Sequence, residues 1–173
     1  MSNKVDVVYR AVDTPVGQLL LAATEQGVVR IAFEQEGVEA ALQALAAKIN
    51  ARVLHAPDRL DQAARQLEEY FAGTRRDFDL PLDHRLSAGF RLTVQRYLTR
   101  IRYGHTMSYK QVAEQVGNPH AVRAVGTACA TNPLPIVVPC HRVLRTDGTL
   151  GGYAGGLDTK TTLLALECGA LPG

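Results

Sequence analysis

The segment 132–143 constrains the fold most strongly, because three prolines interrupt an apolar run there. It reads Asn-Pro-Leu-Pro-Ile-Val-Val-Pro-Cys-His-Arg-Val. Proline fixes φ and has no backbone N–H to donate, so this run cannot form a regular helix. The sequence therefore predicts an irregular segment that holds Cys140 and His141 in a defined position.

Cys140 is a candidate nucleophile. A cysteine attacks as the thiolate, and a neighbouring imidazole that accepts its proton is one environment that lowers a thiol pKa. His141 is such a neighbour, and Arg142 is expected to add positive potential. The alternative is that Cys140, which follows Ile-Val-Val-Pro, is simply a small buried apolar residue.

Charge is distributed unevenly along the chain. Residues 1–83 carry nine Lys and Arg against thirteen Asp and Glu, whereas residues 84–173 carry ten against four. The 173 residues are enough for one domain or two small ones. A basic half indicates a polyanionic partner, although the same charge is also compatible with a role in solubility alone.

The first half has the pattern of a small α+β unit. Short apolar runs separated by turn residues predict an antiparallel meander, and apolar residues at helical spacing predict two helices. The expected strands are 5–9, 18–23, 28–33, 52–55 and 78–82, and the expected helices are 38–49 and 60–71, the second ending at Gly73. Asp77, Asp79 and Asp83 alternate in the way that a solvated strand face does, which we favour over a metal site.

The second half has a helical pattern. A first helix is expected over residues 90–101. Ser108 and Gln111 have the spacing of a capping box and predict a second helix as far as residue 116. Asn118 is then expected to cap a third helix, with Pro119 at its first position, over residues 120–130. Two helices joined by a short turn that contains Gly117 predict a helix-turn-helix.

The third helix is expected to bury one face and present small side chains on the other. Val122, Val125 and Cys129 are assigned to the core. The outer face would comprise His120, Arg123, Ala124, Thr127 and Ala128. A surface with one long side chain favours close contact by shape and phosphate rather than sequence reading, although small residues also permit helix–helix packing.

Several motifs resemble those of the O6-alkylguanine-DNA alkyltransferases over residues 90–167. They are Ser108-Tyr109, Gly117-Asn118-Pro119, Arg123-Ala124-Val125-Gly126, Asn132-Pro133, Pro139-Cys140-His141-Arg142-Val143 and Gly151-Gly152-Tyr153. The resemblance implies an α/β (α+β) protein with a small ribonuclease-H-like α/β domain over residues 1–84. A helical domain of the winged-helix, helix-turn-helix type would follow over residues 85–173. Gln95 and Arg102 depart from the family pattern, which usually has Trp and Pro there.

The resemblance also implies roles for individual residues. Cys140 would accept the alkyl group, His141 would be its base through a water molecule, and Glu167 would orient the imidazole. Asn132 would fix the turn before the active site, and Tyr109 would contact the guanine and its phosphate. The DNA-binding residues would be Arg123, which fills the base stack after nucleotide flipping, with Tyr109, Ala124, Thr127 and Ala128.

The substrate pocket would be formed by Tyr153, Ala154, Gly155, Pro135 and Val143. Ala154 and Gly155 occupy positions where some bacterial relatives carry Arg and Trp, so we expect room for an aromatic substituent and reaction with O6-benzylguanine.

Alkyl transfer to a cysteine forms a thioether, which water does not hydrolyse, so each molecule would act once. No metal and no organic cofactor are expected.

The expected partner is double-stranded DNA with alkylated bases, bound in the minor groove without strong sequence preference. We expect a monomer and leave cooperative binding along DNA open.

No apolar stretch approaches the ~18 residues of a membrane span. Three cysteines without Cys-x-x-Cys spacing argue against disulfides and zinc, and a cytoplasmic or nucleoid location is expected. The competing functions are a non-catalytic damage sensor and a cysteine hydrolase.

Overall fold

The computed structural model describes residues 5–169. The chain divides into two compact units, Met1–Leu86 and Ser87–Gly173. The two units are described in turn. The described residues include no helix long and apolar enough to span a bilayer.

The first unit consists of a four-stranded sheet and two α-helices. Its strands are β1 Val5–Thr14, β2 Gly17–Thr24, β3 Gly27–Phe33 and β4 Ala51–His55, and its helices are α1 Val38–Ile49 and α2 Asp61–Phe71. The strand order is β3-β2-β1-β4, with antiparallel pairing except between β1 and β4, which are parallel. The predicted meander and both predicted helices are confirmed.

The core of this unit forms around β2. Residues 19–24 of β2 are all buried, as expected for a continuous apolar run covered on both faces. Leu45 of α1 packs in a cluster with Val7, Ala22 and Val29 of the first three strands. Helix α2 buries Leu67 and Tyr70 and ends as predicted, because Gly73 follows it with φ of 80°.

The prediction of a sheet strand over residues 78–82 is wrong. Leu82 forms only an isolated bridge with Val28. At that bridge the Val28 amide donates to the Pro81 carbonyl at 2.9 Å. The earlier part of the segment is held by the side-chain amide of Gln66, which donates to the Asp79 carbonyl at 3.0 Å and accepts from the Asp79 amide at 2.9 Å. Pro81 has no N–H to donate to a ladder, so an extended sequence here does not become a paired strand.

The second unit is mostly helical. Its helices are α3 Gly89–Leu98, α4 Tyr109–Gln115, α5 Val122–Ala130 and α6 Leu157–Glu167, and its strands are β5 Met107–Ser108 and β6 Val143–Leu144. The two short strands pair in parallel. This arrangement agrees with the expected fold class, a mixed α/β unit followed by a helical one.

Helices α4 and α5 form the predicted helix-turn-helix, but α5 begins later than expected. The Ser108 hydroxyl accepts from the Gln111 amide at 3.0 Å, and the Gln111 side chain accepts from the Ser108 amide at 2.8 Å, which confirms the capping box. Asn118 does not cap α5. Its carbonyl accepts from the Ala121 amide at 3.0 Å, so Asn118 and Pro119 belong to the turn and the helix starts at Val122.

Candidate active site

Cys140 opens a single turn of 3-10 helix, Cys140–Arg142, directly after the proline-containing segment. Its side chain is buried, with a relative exposure of 5%. Its backbone amide donates to the Val138 carbonyl at 2.8 Å. The segment is irregular, as predicted, and it fixes the backbone on the N-terminal side of the cysteine.

Asn132 shapes this segment from within. Its side-chain oxygen accepts from the Leu134 amide at 3.0 Å, and its side-chain nitrogen donates to the Val138 carbonyl at 2.8 Å. Between them Ile136 has a φ of 74°, a conformation that is unfavourable for a β-branched residue. The buried amide of Asn132 therefore holds a strained turn that leads directly to Cys140.

His141, Arg142 and Glu167 form a buried cluster. The Glu167 carboxylate accepts from Nε2 of His141 at 2.7 Å, and from Nε and Nη2 of Arg142 at 2.7 and 2.9 Å. An ionised carboxylate only accepts, so Nε2 of His141 carries a proton and Nδ1 is the basic nitrogen of the neutral ring. Nδ1 is buried and has no hydrogen-bond partner among the described residues.

Burial dominates the protonation of this site. It lowers the pKa of His141, against the opposing effect of Glu167, so the ring is neutral at neutral pH. It raises the pKa of the Cys140 thiol to about 11, although the Asn132 side chain and the charge of Lys160 act in the opposite direction. The resting cysteine is therefore a thiol.

The expectation that Arg142 supplies positive potential to Cys140 is wrong. Its guanidinium is paired with Glu167 and donates a further hydrogen bond to the Ile101 carbonyl at 2.5 Å. The sequence places Arg142 two residues from Cys140, but the 3-10 turn directs its side chain to α6. The cation whose charge lowers the thiol pKa is Lys160, which sequence reasoning missed.

A cavity of ≈ 570 Å³ lies between α4, α5 and the loop before α6. It contains two of the predicted pocket residues, Tyr153 and Ala154, together with Tyr109. Its other lining residues are Val122, Gly126, Cys129, Ala130, Arg145, Gly151 and Gly152.

The described residues contain no group of three or more His, Cys, Asp or Glu placed to hold a metal ion.

Three predicted pocket residues lie outside this lining. Val143 is fully buried in β6, and Pro135 and Gly155 are buried as well. Pro135 belongs to the strained segment that Asn132 holds, so its ring packs inside the unit. Of the three loop residues that were predicted for the pocket, Tyr153 and Ala154 line the cavity and Gly155 does not.

Tyr109 lies against the same loop at Gly151. A Cβ atom on Gly151 would come within 2.7 Å of the Tyr109 hydroxyl, and Gly151 has a φ of 69°, so glycine is required there on both grounds. Burial raises the pKa of Tyr109 to about 12. The phenol is therefore protonated and can donate a hydrogen bond into the cavity.

Helix α5 presents Arg123, Ala124 and Thr127 to solvent, as predicted. The guanidinium of Arg123 has no hydrogen-bond or ion-pair partner within residues 5–169. Two assignments on this helix are wrong. Ala128 is fully buried, and its carbonyl accepts from the buried Gln95 side chain at 3.1 Å, whereas Val122 is 38% exposed.

The two errors on α5 have one cause. The sequence assigned the inward face to positions 122, 125 and 129, but the helix buries positions 125 and 128. Cys129 lies at the edge of that face and lines the cavity. Gln95 on α3 departs from the family pattern, which usually has Trp there. Its side chain donates to the Ala128 carbonyl, where the inward face of α5 meets α3.

The fold and the site define a helix-turn-helix protein with a buried cysteine beside a histidine–glutamate pair. The family model "6-O-methylguanine DNA methyltransferase, DNA binding domain" matches residues 89–169, and the model for the "ribonuclease-like domain" of the same family matches residues 7–84. A methylated-DNA–protein-cysteine methyltransferase of Mycolicibacterium paratuberculosis is 44% identical over 92% of this chain and 91% of its own. The constitutive methylated-DNA–protein-cysteine methyltransferase of Bacillus subtilis is 41% identical over 92% and 94%.

Solved structures agree with these relatives. The crystal structure of Mycobacterium tuberculosis OGT in complex with DNA is 37% identical, covers 96% of both chains and superposes with a TM-score of 0.84. The crystal structure of the Mycobacterium tuberculosis O6-methylguanine methyltransferase gives a TM-score of 0.83 at 38% identity. The chain belongs to the 6-O-methylguanine DNA methyltransferase family.

Proposed function

We propose that this protein repairs O6-alkylguanine in double-stranded DNA by transferring the alkyl group to Cys140. The observation that carries the proposal is the buried Cys140 thiol next to His141, whose imidazole is kept neutral by burial and oriented by Glu167. This supports a thiol nucleophile with its own base, in a unit that also contains a helix-turn-helix.

The Cys140 thiol gives its proton to Nδ1 of His141, through a water molecule as the family resemblance implies. The sulfur then forms a bond to the alkyl carbon, and the bond from that carbon to O6 breaks with its electron pair going to the guanine. The Tyr109 hydroxyl lines the cavity and is the protein donor that supports the departing base.

The raised thiol pKa fits a protein that acts once. A thiolate exposed at rest would react with any soluble electrophile and inactivate the protein. Cys140 is buried and protonated, so it ionises only as its proton passes to His141. The product is a thioether, which has no hydrolytic exit.

We propose that α5 contacts the minor groove and that Arg123 occupies the space of the flipped nucleotide. Its neighbours Ala124 and Thr127 are small, so the helix backbone can approach closely. A guanidinium can offset the few kcal/mol that unstacking costs. With one long side chain on this face, strong sequence preference is not expected.

The proposed functional residues all belong to one of the two predicted domains. Every residue assigned here to catalysis, DNA binding or the pocket falls within residues 85–173, and residues 1–84 contribute none. We expect a monomer in the cytoplasm or nucleoid, where its substrate is found.

The damage-sensor alternative is less well supported, because a sensor needs neither Cys140 nor the His141–Glu167 pair. A titration separates alkyl transfer from hydrolysis. With excess duplex containing one O6-methylguanine, lesion removal should stop at one lesion per protein molecule. Continued turnover would indicate a hydrolase, and binding without removal would indicate a sensor.

A further inference from the structure

Lys160 is the buried charged group that the proposed mechanism does not yet use. It lies on α6, seven residues before Glu167, and its side chain is fully buried. Its Nζ donates to the Val143 carbonyl at 2.8 Å and to the Leu150 carbonyl. Val143 follows the Cys140 turn directly, and Leu150 precedes the glycines that line the cavity.

Lys160 lacks the partner that a buried cation normally has. None of the carboxylates in residues 5–169 forms an ion pair with it, whereas Arg142 in the same unit is paired with Glu167. A buried charge without a counter-charge is strongly unfavourable, and two carbonyl groups compensate it only in part. Burial accordingly lowers the pKa of Lys160.

The groups that face Lys160 come from every element around it. The Tyr109 ring of α4 has its centroid 5.9 Å from Nζ. Cys140 on the active-site turn and Cys129 on α5 both raise the pKa of Lys160, and Arg145 after β6 lowers it. Of the groups that can become negative here, Cys140 is the one that must ionise for the proposed transfer.

We propose that Lys160 is the counter-charge of the Cys140 thiolate, and that its two carbonyl hydrogen bonds hold the active-site turn and the cavity loop around that charge. The inference rests on the proposed transfer to Cys140. Lys160 keeps its proton throughout. The thiol proton goes to His141, the negative charge forms on the sulfur of the turn that Lys160 holds through the Val143 carbonyl, and it passes to the guanine as the carbon–O6 bond breaks. Lys160 is thus a positioning residue, distinct from the base.

The test measures the reactivity of Cys140 without DNA. The rate of Cys140 alkylation by iodoacetamide is followed from pH 7 to pH 10 by peptide mass spectrometry, in the unchanged protein and in the Lys160→Gln and Lys160→Arg variants. Gln keeps a donor for the carbonyls and removes the charge, whereas Arg keeps the charge. At pH 8 the rate should fall by about tenfold with Gln, the effect of one pKa unit, and by much less with Arg.

Two results would overturn the proposal. One is an unchanged rate in a Lys160→Gln variant that melts like the unchanged protein, which would make Lys160 only a clamp for the loop. The other is an equal loss in both variants, which would exclude charge as the cause. Because no DNA is present, neither result depends on whether the protein repairs DNA.

A second measurement does not require any change at Lys160. The pH titration of the lysine side chains is followed by NMR, with isotope-labelled Nζ, in the unchanged protein and in Cys140→Asp, whose carboxylate is ionised while the lysines titrate. This fixed negative charge at the position of the thiolate should raise the pKa of Lys160 and of no other lysine. An unchanged Lys160 titration would contradict the pairing, even if the Gln variant fails to fold.

Discussion

The two units of the molecule treat charge differently. In the first unit each ion pair keeps at least one partner partly exposed, from Arg85 with Asp83, at 26% and 3%, to Arg52 with Asp6, at 64% and 49%. In the second unit His141, Arg142 and Glu167 are paired with side-chain exposures of 0%, 7% and 1%. Exposed pairs contribute little to stability, whereas a buried pair is costly to break.

The buried charged cluster therefore distinguishes the second unit, which contains the candidate active site, from the first. The first unit also has a cavity of ≈ 550 Å³, lined by residues of β1 and α2. That cavity is similar in volume to the one in the second unit, and Cys140 and His141 line neither of them. Cavity volume alone therefore does not identify the site. The buried charges and the thiol do.

Breaking the buried cluster should have the largest effect. Glu167→Gln leaves Arg142 buried without its counter-charge, and we expect a loss of about 3–5 kcal/mol in the free energy of unfolding. It also frees His141 from its orienting acceptor, so transfer should slow strongly. Urea denaturation and a repair assay measure the two effects. The control Asp6→Asn removes an exposed pair and should change neither, and equal effects of both substitutions would contradict the comparison.

Arg123 tests whether the exposed charge of the second unit acts on DNA. Arg123→Ala should slow repair of an alkylated duplex by about tenfold or more, since unstacking costs a few kcal/mol. Reaction with free O6-benzylguanine base should hardly change. The matched control is Arg91→Ala, an exposed arginine on α3 outside the recognition helix. Equal losses on duplex and free base would assign Arg123 to folding.

Comparison of the two cavities gives a smaller, more specific prediction. Reaction with O6-benzylguanine is expected, because Tyr153 is followed by the small residue Ala154 in the wall. Ala154→Trp should reduce benzyl transfer more than methyl transfer. Ala64→Trp, in the cavity of the first unit, should leave that ratio unchanged. An unchanged protein that repairs methylated DNA but ignores O6-benzylguanine would contradict the pocket assignment only.

The smallest effect concerns pH. Burial lowers the pKa of His141 below its ordinary value of 6.5, so below that pH the unfolded chain binds a proton that the folded chain resists. The stabilising contribution is complete above pH 6.5 and is lost as the pH falls. Hydrogen exchange should show α6 losing protection between pH 7 and pH 5 before α1 does. The difference in protection between α6 and α1 should shrink in the His141→Gln variant. If both units of the unchanged protein lost protection at the same pH, the effect could not be assigned to His141.

Much of the fold follows from local patterns. The meander, α1, α2 and the Ser108 capping box were predictable because their signals lie within a few residues of one another. The strand over residues 78–82 was not, because pairing with β3 is limited to a single bridge at Val28 and residue 79 is held by the Gln66 amide, a contact that is distant in sequence. The start of α5 was misplaced because Asn118 and Pro119 suit a turn as well as a helix cap.

Site residues that lie in a sequence motif could be predicted, whereas residues brought to the site only by the fold could not. Cys140, His141 and Asn132 lie in one segment, and Glu167 came from the family resemblance. Lys160 has no local motif. The sequence could have indicated its burial only through helical spacing, because Lys160, Leu163 and Glu167 lie on one face of α6. That inference requires Glu167 to be assigned to the interior first.

The most direct test of the central claim is mass spectrometry of the protein after incubation with duplex DNA that contains O6-methylguanine. We predict that one methyl group replaces the thiol hydrogen of Cys140, that Cys129 and Cys168 remain unmodified, and that Cys140→Ser binds the duplex without gaining mass. A methyl group on another residue, or lesion removal that leaves Cys140 unmodified, would contradict it.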